Sequence, residues 1–245
     1  MKTSNKSALA VAFVLPILLA VFVPRILEWM NLSREQNQYI RMPEKMYAID
    51  TVQLVDADGK MVVDSLYHKV PNLKFETQSG DSLELDSLAG NLYVVNFFFA
   101  TCPGICPKLS HSMERVQDAF IKDDKFKLVS VTVDPDRDSV QAIRNYADGH
   151  NAIPGKWYFL RGSKADVSEL AGKGLYITAR PGDPADAEAF VHSEKMVIVD
   201  WEGNIRSYYS GIDSISVNKM MADIVLLLRS KDRKTTFSGQ KPKPH

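Results

Sequence analysis

Leu92-Tyr-Val-Val-Asn-Phe-Phe-Phe99 is a continuous run of β-forming, mostly apolar residues, and it ends directly in Ala100-Thr101-Cys102-Pro103-Gly104-Ile105-Cys106-Pro107. A run of this kind suits a strand covered on both faces, which commits the chain to layers of helices packed on a sheet. The segments around it alternate in the same sense. A helical stretch is expected from Pro107 to about Ile121, a strand at Phe126–Val133, and a helix from about Ser139 to Asp148. Strand, helix, strand, helix implies an α/β core with parallel strands.

Shorter signals fill in the rest. Val52–Val63 alternates around Asp58-Gly59 like a small hairpin, and Leu73–Thr77 leads into a second turn at Ser79-Gly80. Trp157–Leu160 reads as a short strand and Lys164–Ala171 as a short helix. Met196–Val199 and Ile205–Tyr209 form a hairpin about Glu202-Gly203-Asn204, before a last helix from about Ser214 to Arg229. In that helix Ile215, Met220, Ile224 and Leu227 or Leu228 recur at helical spacing, so its methionine is assigned to packing.

The ends have a different character. Lys2 and Lys6 precede an apolar stretch from Ala8 to Val23, followed by Pro24, Arg25 and Trp29. It is slightly short against the about 20 residues that cross a bilayer, but Trp29 and a snorkelling Arg25 extend it. Leu19-Ala-Val-Phe-Val-Pro24 offers no small-x-small cleavage site, so an uncleaved single-pass anchor is expected. The retained lysines place the N-terminus in the cytoplasm and the remainder outside it. The absence of an Arg- and Ser-rich transit segment favours a bacterial inner membrane, with the globular part in the periplasm. The resulting division is an anchor at 1–29, a linker at 30–50, a globular domain at 51–230 and a flexible basic tail at 231–245.

Cys102 and Cys106 are the only cysteines in 245 residues, which excludes a disulfide-stapled scaffold. Lys and Arg together number 30, as do Asp and Glu, so nothing marks the chain as a general nucleic-acid binder. The pair sits where a buried strand passes into a helix, the region in which α/β proteins gather ligands. Pro107 suits the first helical position, which makes Cys106 the expected N-cap, its thiolate favoured by the helix dipole. Two soft thiolates select Cu(I), zinc or iron–sulfur centres, and of these copper accepts so few protein ligands. A structural disulfide closing this short loop would remove little chain entropy.

Asn96-Phe-Phe-Phe-Ala-Thr-Cys-Pro-Gly-Ile-Cys-Pro107 resembles the signature of the Sco/SenC family of copper proteins. The resemblance continues through Val131-Thr-Val-Asp-Pro-Asp-Arg-Asp138 and Val191-His192-Ser193, covering about Leu73 to Arg229. It implies a thioredoxin-like fold, with a mixed central sheet flanked by helices. It also implies that Cys102, Cys106 and His192 bind copper for delivery to the copper-binding subunit of cytochrome c oxidase, and that the two cysteines cycle between dithiol and disulfide. Two thiolates suit Cu(I), and an imidazole gives a trigonal site that also accommodates Cu(II).

Other readings stay open. They are a membrane-tethered thiol-disulfide oxidoreductase acting on the oxidase cysteines, a peroxide-reducing enzyme, and a redox or copper sensor. The three-residue spacer departs from the Cys-x-x-Cys of general dithiol reductases. Other copper carriers or thiol oxidoreductases are further candidate partners. His68, His111, His150 and His245 lack a spacing partner and are assigned to the surface. Asp138 and Gln141 are expected to form a capping box for the second helix, while Asp134 and Asp136 are candidates for tuning the site electrostatically. Ala179–Ala189 reads as an irregular acidic connection into His192, free to move when metal binds.

Overall fold

The structure is a computed structural model that describes residues 45–55, 61–177 and 193–238. The apolar stretch Ala8–Val23, the linker before residue 45, the acidic connection and His192 lie outside the described residues. Among the described residues no helix is long and apolar enough to cross a membrane.

A seven-stranded sheet forms the centre, with strand order β4-β3-β7-β6-β5-β8-β9. Its strands are β3 (Lys74–Thr77), β4 (Ser82–Glu84), β5 (Leu92–Phe98), β6 (Phe126–Thr132), β7 (Trp157–Arg161), β8 (Lys195–Val199) and β9 (Ile205–Ser210). The pairs β5–β6 and β6–β7 are parallel, from Leu92 opposite Phe126 to Phe98 opposite Thr132. The flanking pairs, β3–β4, β3–β7, β5–β8 and β8–β9, are antiparallel, so the sheet is mixed. All seven residues of β5 are buried, as its unbroken apolar run requires of a strand covered on both faces.

A separate two-stranded ribbon, β1 (Ala48–Val55) with β2 (Met61–Tyr67), is the hairpin expected around Asp58-Gly59. It is tied to the main sheet through Met46 N–H to Ile205 O at 2.9 Å and a bridge between Lys69 and Asn204.

The helices are α1 (Ile105–Ala119), α2 (Val140–Gly149), α3 (Lys164–Glu169) and α4 (Ser214–Ser238). In α1 the buried positions include Cys106, Leu109, Met113 and Val116, the 3- and 4-residue spacing that turns one face to the sheet. Between Leu170 and Gly174, α3 passes into a π-turn, wider than the helix expected through Ala171. The last helix continues past Arg229 into the segment expected to be a flexible tail, ending at Ser238. Its buried stripe is Val217, Met220, Ile224 and Leu227, whereas Ile215 is 80 % exposed. Ile215 falls in the first turn, where the Asp213 carboxylate caps the amides of residues 215 and 216 and holds the helix start at the surface.

A chain of polar side chains crosses the centre of the sheet. Asn96 Oδ1 accepts from the Ser130 hydroxyl at 2.6 Å, and Ser130 in turn accepts from Trp157 Nε1 at 2.9 Å. This chain of donors stitches β5, β6 and β7 together at side-chain level.

Candidate functional site

The loop between β5 and α1 carries both cysteines, and its path is set by backbone hydrogen bonds. Cys102 N–H bonds to Phe99 O at 3.2 Å, closing a turn as the chain leaves the strand. Gly104 occupies the N-cap position of α1 with no side-chain cap, so the helix begins at Ile105 and Cys106 lies inside its first turn. This corrects the expectation that Cys106 caps the helix and Pro107 opens it. Any residue of the first turn has an amide with no intrahelical partner, so Pro107 is tolerated two positions further in than its usual place.

Both thiols are free and buried, Cys102 at 7 % exposure and Cys106 at 2 %. Burial pushes the Cys106 thiol far above its ordinary range, with further upward pushes from a hydrogen bond to the Cys102 thiol, from the Cys102 charge and from the Asp138 carboxylate. The Phe99 backbone N–H, directed at the Cys106 sulfur, opposes them. The helix-dipole argument for a ready thiolate is therefore overturned. A helix terminus supplies about 0.3–1 kcal/mol, and desolvation of a buried charge exceeds that. In the metal-free protein Cys106 is a neutral thiol at neutral pH, and a soft cation must displace its proton to bind there.

The loop after β6 approaches the same place. Asp138 is 1 % exposed, and its Oδ2 accepts from Ala100 N–H at 3.0 Å and from the Thr132 hydroxyl. Burial raises this carboxyl above its ordinary value, against the two hydrogen bonds that stabilise its charge. The expected capping box is absent. Ser139 caps α2 by accepting Ala142 N–H at 3.2 Å, and Gln141 bonds to Asn145 instead. Asp138 is taken by the cysteine loop because the parallel pairing of β5 with β6 brings residues 98 and 132 side by side. Asp134 pairs with Arg137, and Asp136 with Lys164 at the exposed rim.

Tyr146 of α2 stacks on Phe98 with ring centroids 4.8 Å apart and its hydroxyl is 3.0 Å from Ser110 Oγ. Burial raises the Tyr146 phenol, and charge on Cys106 or Cys102 raises it further. Two histidines assigned to the surface are part-buried instead. His150 Nδ1 lies 2.6 Å from Glu114 Oε1, and His68 Nε2 lies 3.0 Å from Gly174 O. His111, 73 % exposed in its side chain, also reaches Glu114, at 3.3 Å. Sequence spacing could not reveal the contact between His150 and Glu114, because His150 follows the end of α2 and Glu114 lies on α1.

Among the described residues no group of three or more His, Cys, Asp and Glu side chains is arranged to hold a metal ion. The described chain resumes at Ser193, and β8 begins at Lys195. Because β8 runs antiparallel to β5, with Val197 opposite Val95, that beginning lies at the end of β5 from which the cysteine loop departs. Gly211 N–H bonds to Glu194 O at 2.8 Å, and Gly211 O accepts from Ser112 of α1 at 2.6 Å.

The SCO1/SenC family model matches residues 63–229. The SCO1 protein homolog of Bacillus subtilis is 24% identical over 168 residues, covering 68% of this chain and 86% of the relative. Yeast Sco1 with copper bound superimposes with a TM-score of 0.55 at 20% identity, covering 71% of this chain and 96% of that one. BsSco, a member of the Sco family of cytochrome c oxidase assembly proteins in which a disulfide switch is described, gives a TM-score of 0.53 at 24% identity, over 64% and 94% of the two chains. The fold, the thiol pair at the start of α1 and a family match spanning most of the globular part agree, and the chain belongs to the SCO1/SenC family.

Proposed function

We propose that this chain is a copper carrier that holds copper through Cys102, Cys106 and His192 and assists assembly of the dinuclear copper centre of cytochrome c oxidase. The observation that carries the reading is the pair of free, mutually hydrogen-bonded thiols at the β5–α1 junction of a SCO1/SenC chain. Support comes from the yeast relative with copper bound and from the assembly role ascribed to the family of BsSco. Copper is the cargo. Two thiolates satisfy a soft monovalent ion, and an imidazole from the segment preceding β8 would complete a trigonal set. Burial that keeps the Cys106 proton in place makes loading proton-coupled, so copper is released more readily as pH falls.

The segment 1–29 serves as a single-pass anchor, 30–50 as a linker and 51–230 as the working domain in the bacterial periplasm. Tethering would confine donor and recipient to one membrane surface. The copper-binding oxidase subunit is the partner this reading requires.

A second reading is thiol–disulfide exchange on the oxidase cysteines, favoured by the direct hydrogen bond between the two thiols and by the disulfide switch of BsSco. Titrating the reduced chain with Cu(I) against a competing chelator separates the two. Tight one-to-one binding weakened by each of Cys102→Ala, Cys106→Ala and His192→Ala is expected. Weak binding indifferent to His192→Ala would transfer the assignment to dithiol chemistry.

A further inference from the structure

The peptide that joins Phe99 to Ala100, just past the end of β5, is held on both sides. Its N–H, that of Ala100, donates to Asp138 Oδ2 at 3.0 Å, and its carbonyl, that of Phe99, receives the Cys102 N–H at 3.2 Å. The two groups share one peptide plane, so fixing the Ala100 amide fixes the direction in which the Phe99 carbonyl meets Cys102. The fixing group is itself held. Asp138 Oδ2 also accepts from Thr132, whose strand is in register with β5 through Phe98, and Asp138 N–H bonds to Asp134 O at 2.9 Å. A carboxylate 1 % exposed, whose hydrogen bonds come from one amide and one hydroxyl, is costly to bury unless its bonds serve a purpose.

We infer that Asp138 is a positioning residue for the cysteine pair, whose Oδ2 clamps the Ala100 amide and so aims the Phe99 carbonyl at the Cys102 N–H. It acts through the Phe99–Ala100 peptide, and it sets how the loop presents Cys102 to Cys106. The inference rests on reading Cys102 and Cys106 as the working pair, whether their task is copper binding or thiol exchange.

The two features of a carboxylate, its geometry and its charge, are separable. Asp138→Asn keeps an oxygen able to accept from both Ala100 and Thr132 while removing the charge. Asp138→Glu keeps the charge and displaces the acceptor by one methylene. The full chain in detergent is equilibrated with a glutathione couple. In this step the two thiols lose two electrons and two protons to one oxidised glutathione, a Cys102–Cys106 disulfide forms and two reduced glutathiones are released. Positioning predicts an equilibrium constant within about threefold of wild type for Asp138→Asn, and a shift of about tenfold or more for Asp138→Glu.

A tenfold shift in Asp138→Asn would overturn the inference by making charge the operative property, and an unshifted, folded Asp138→Glu would overturn it equally. Circular dichroism reports folding. If Asp138→Glu does not fold, the Asp138→Asn equilibrium decides alone, in either direction. The same preparations titrated with Cu(I) keep the two proposals apart. A wild type that binds no Cu(I) tightly defeats the copper reading, and the glutathione equilibria still judge Asp138.

Discussion

Two buried carboxylates stand at opposite ends of β5, and they are satisfied in opposite ways. Asp200, at the end where β5 begins, accepts from the amides of Glu202 and Asn204, from the Asn204 side chain, and from Arg206 at 3.1 Å. Asp138, at the end where β5 delivers the cysteines, is held by one amide and one hydroxyl, both neutral. The Asp200 group is saturated and ion-paired, and it pins the turn between β8 and β9. A cavity of about 570 Å³ lined by Tyr93, Asp200 and Trp201 opens at that same end, away from the thiols. One strand thus carries an ion-paired fastening at its start and one made with neutral donors at its finish.

The comparison breaks most visibly at the saturated end. Asp200→Ala takes the carboxylate from a buried Arg206 and should lower the unfolding free energy by about 3 kcal/mol or more in urea denaturation. The thiol–disulfide equilibrium of the folded fraction should not move. If it does, the two ends are coupled and the contrast fails. Next comes Gly211, where an added Cβ would sit 2.3 Å from Leu109 Cδ2 and 2.7 Å from Met196 Sδ. Gly211→Ala should cost about 1–3 kcal/mol by forcing α1 and β8 apart, and it should also weaken Cu(I) binding. Wild-type copper affinity in a destabilised Gly211→Ala would show that the contact supports the fold alone.

Proton coupling gives a third test. Loading must expel the Cys106 proton, so apparent Cu(I) affinity should rise by about tenfold per pH unit across neutral pH for that thiol alone. A flat profile would mean that the thiolate is already present, contrary to the burial of Cys106.

A smaller effect concerns Asp138. Its folded carboxyl is raised, so the stability it contributes is complete below the unfolded value of about 3.9 and is lost as pH rises through the folded value. Asp138→Asn does not titrate. Its stability should therefore improve relative to wild type as pH rises above about 4, in urea denaturation at several pH values. A constant difference would place the Asp138 proton affinity at that of an unfolded chain. The smallest effect is expected for Lys164→Ala, since the Lys164 pair with Asp136 is exposed on both sides. Its unfolding midpoint should match wild type, and a measurable loss would give this exposed pair a structural role at the rim.

The strands and the three hairpins were legible in the sequence because period-2 patterning and turn residues such as Ser79-Gly80 act locally. Gly80 indeed adopts φ +88°. The cysteine motif was legible for the same reason, as contiguous residues at a strand-to-helix junction. The start of α1 was misplaced because Pro107 is compatible with several first-turn positions, and the choice among them fell to the packing of Cys106 and Leu109. Asp138 was misread because a capping pattern is a local signal. Its actual partner, Ala100, is 38 residues away and becomes a neighbour only when β5 and β6 pair.

By itself, then, the sequence determined the layered α/β architecture, the site's position after the most deeply buried strand, and the family to which those residues point. Each follows from short-range patterning or from contiguous residues. Tertiary structure alone decided the protonation of Cys106, the partner of Asp138 and the side-chain pairing of His150 with Glu114. Desolvation and hydrogen bonding depend on which distant segments close over a group, and that is a property of strand order rather than of spacing along the chain.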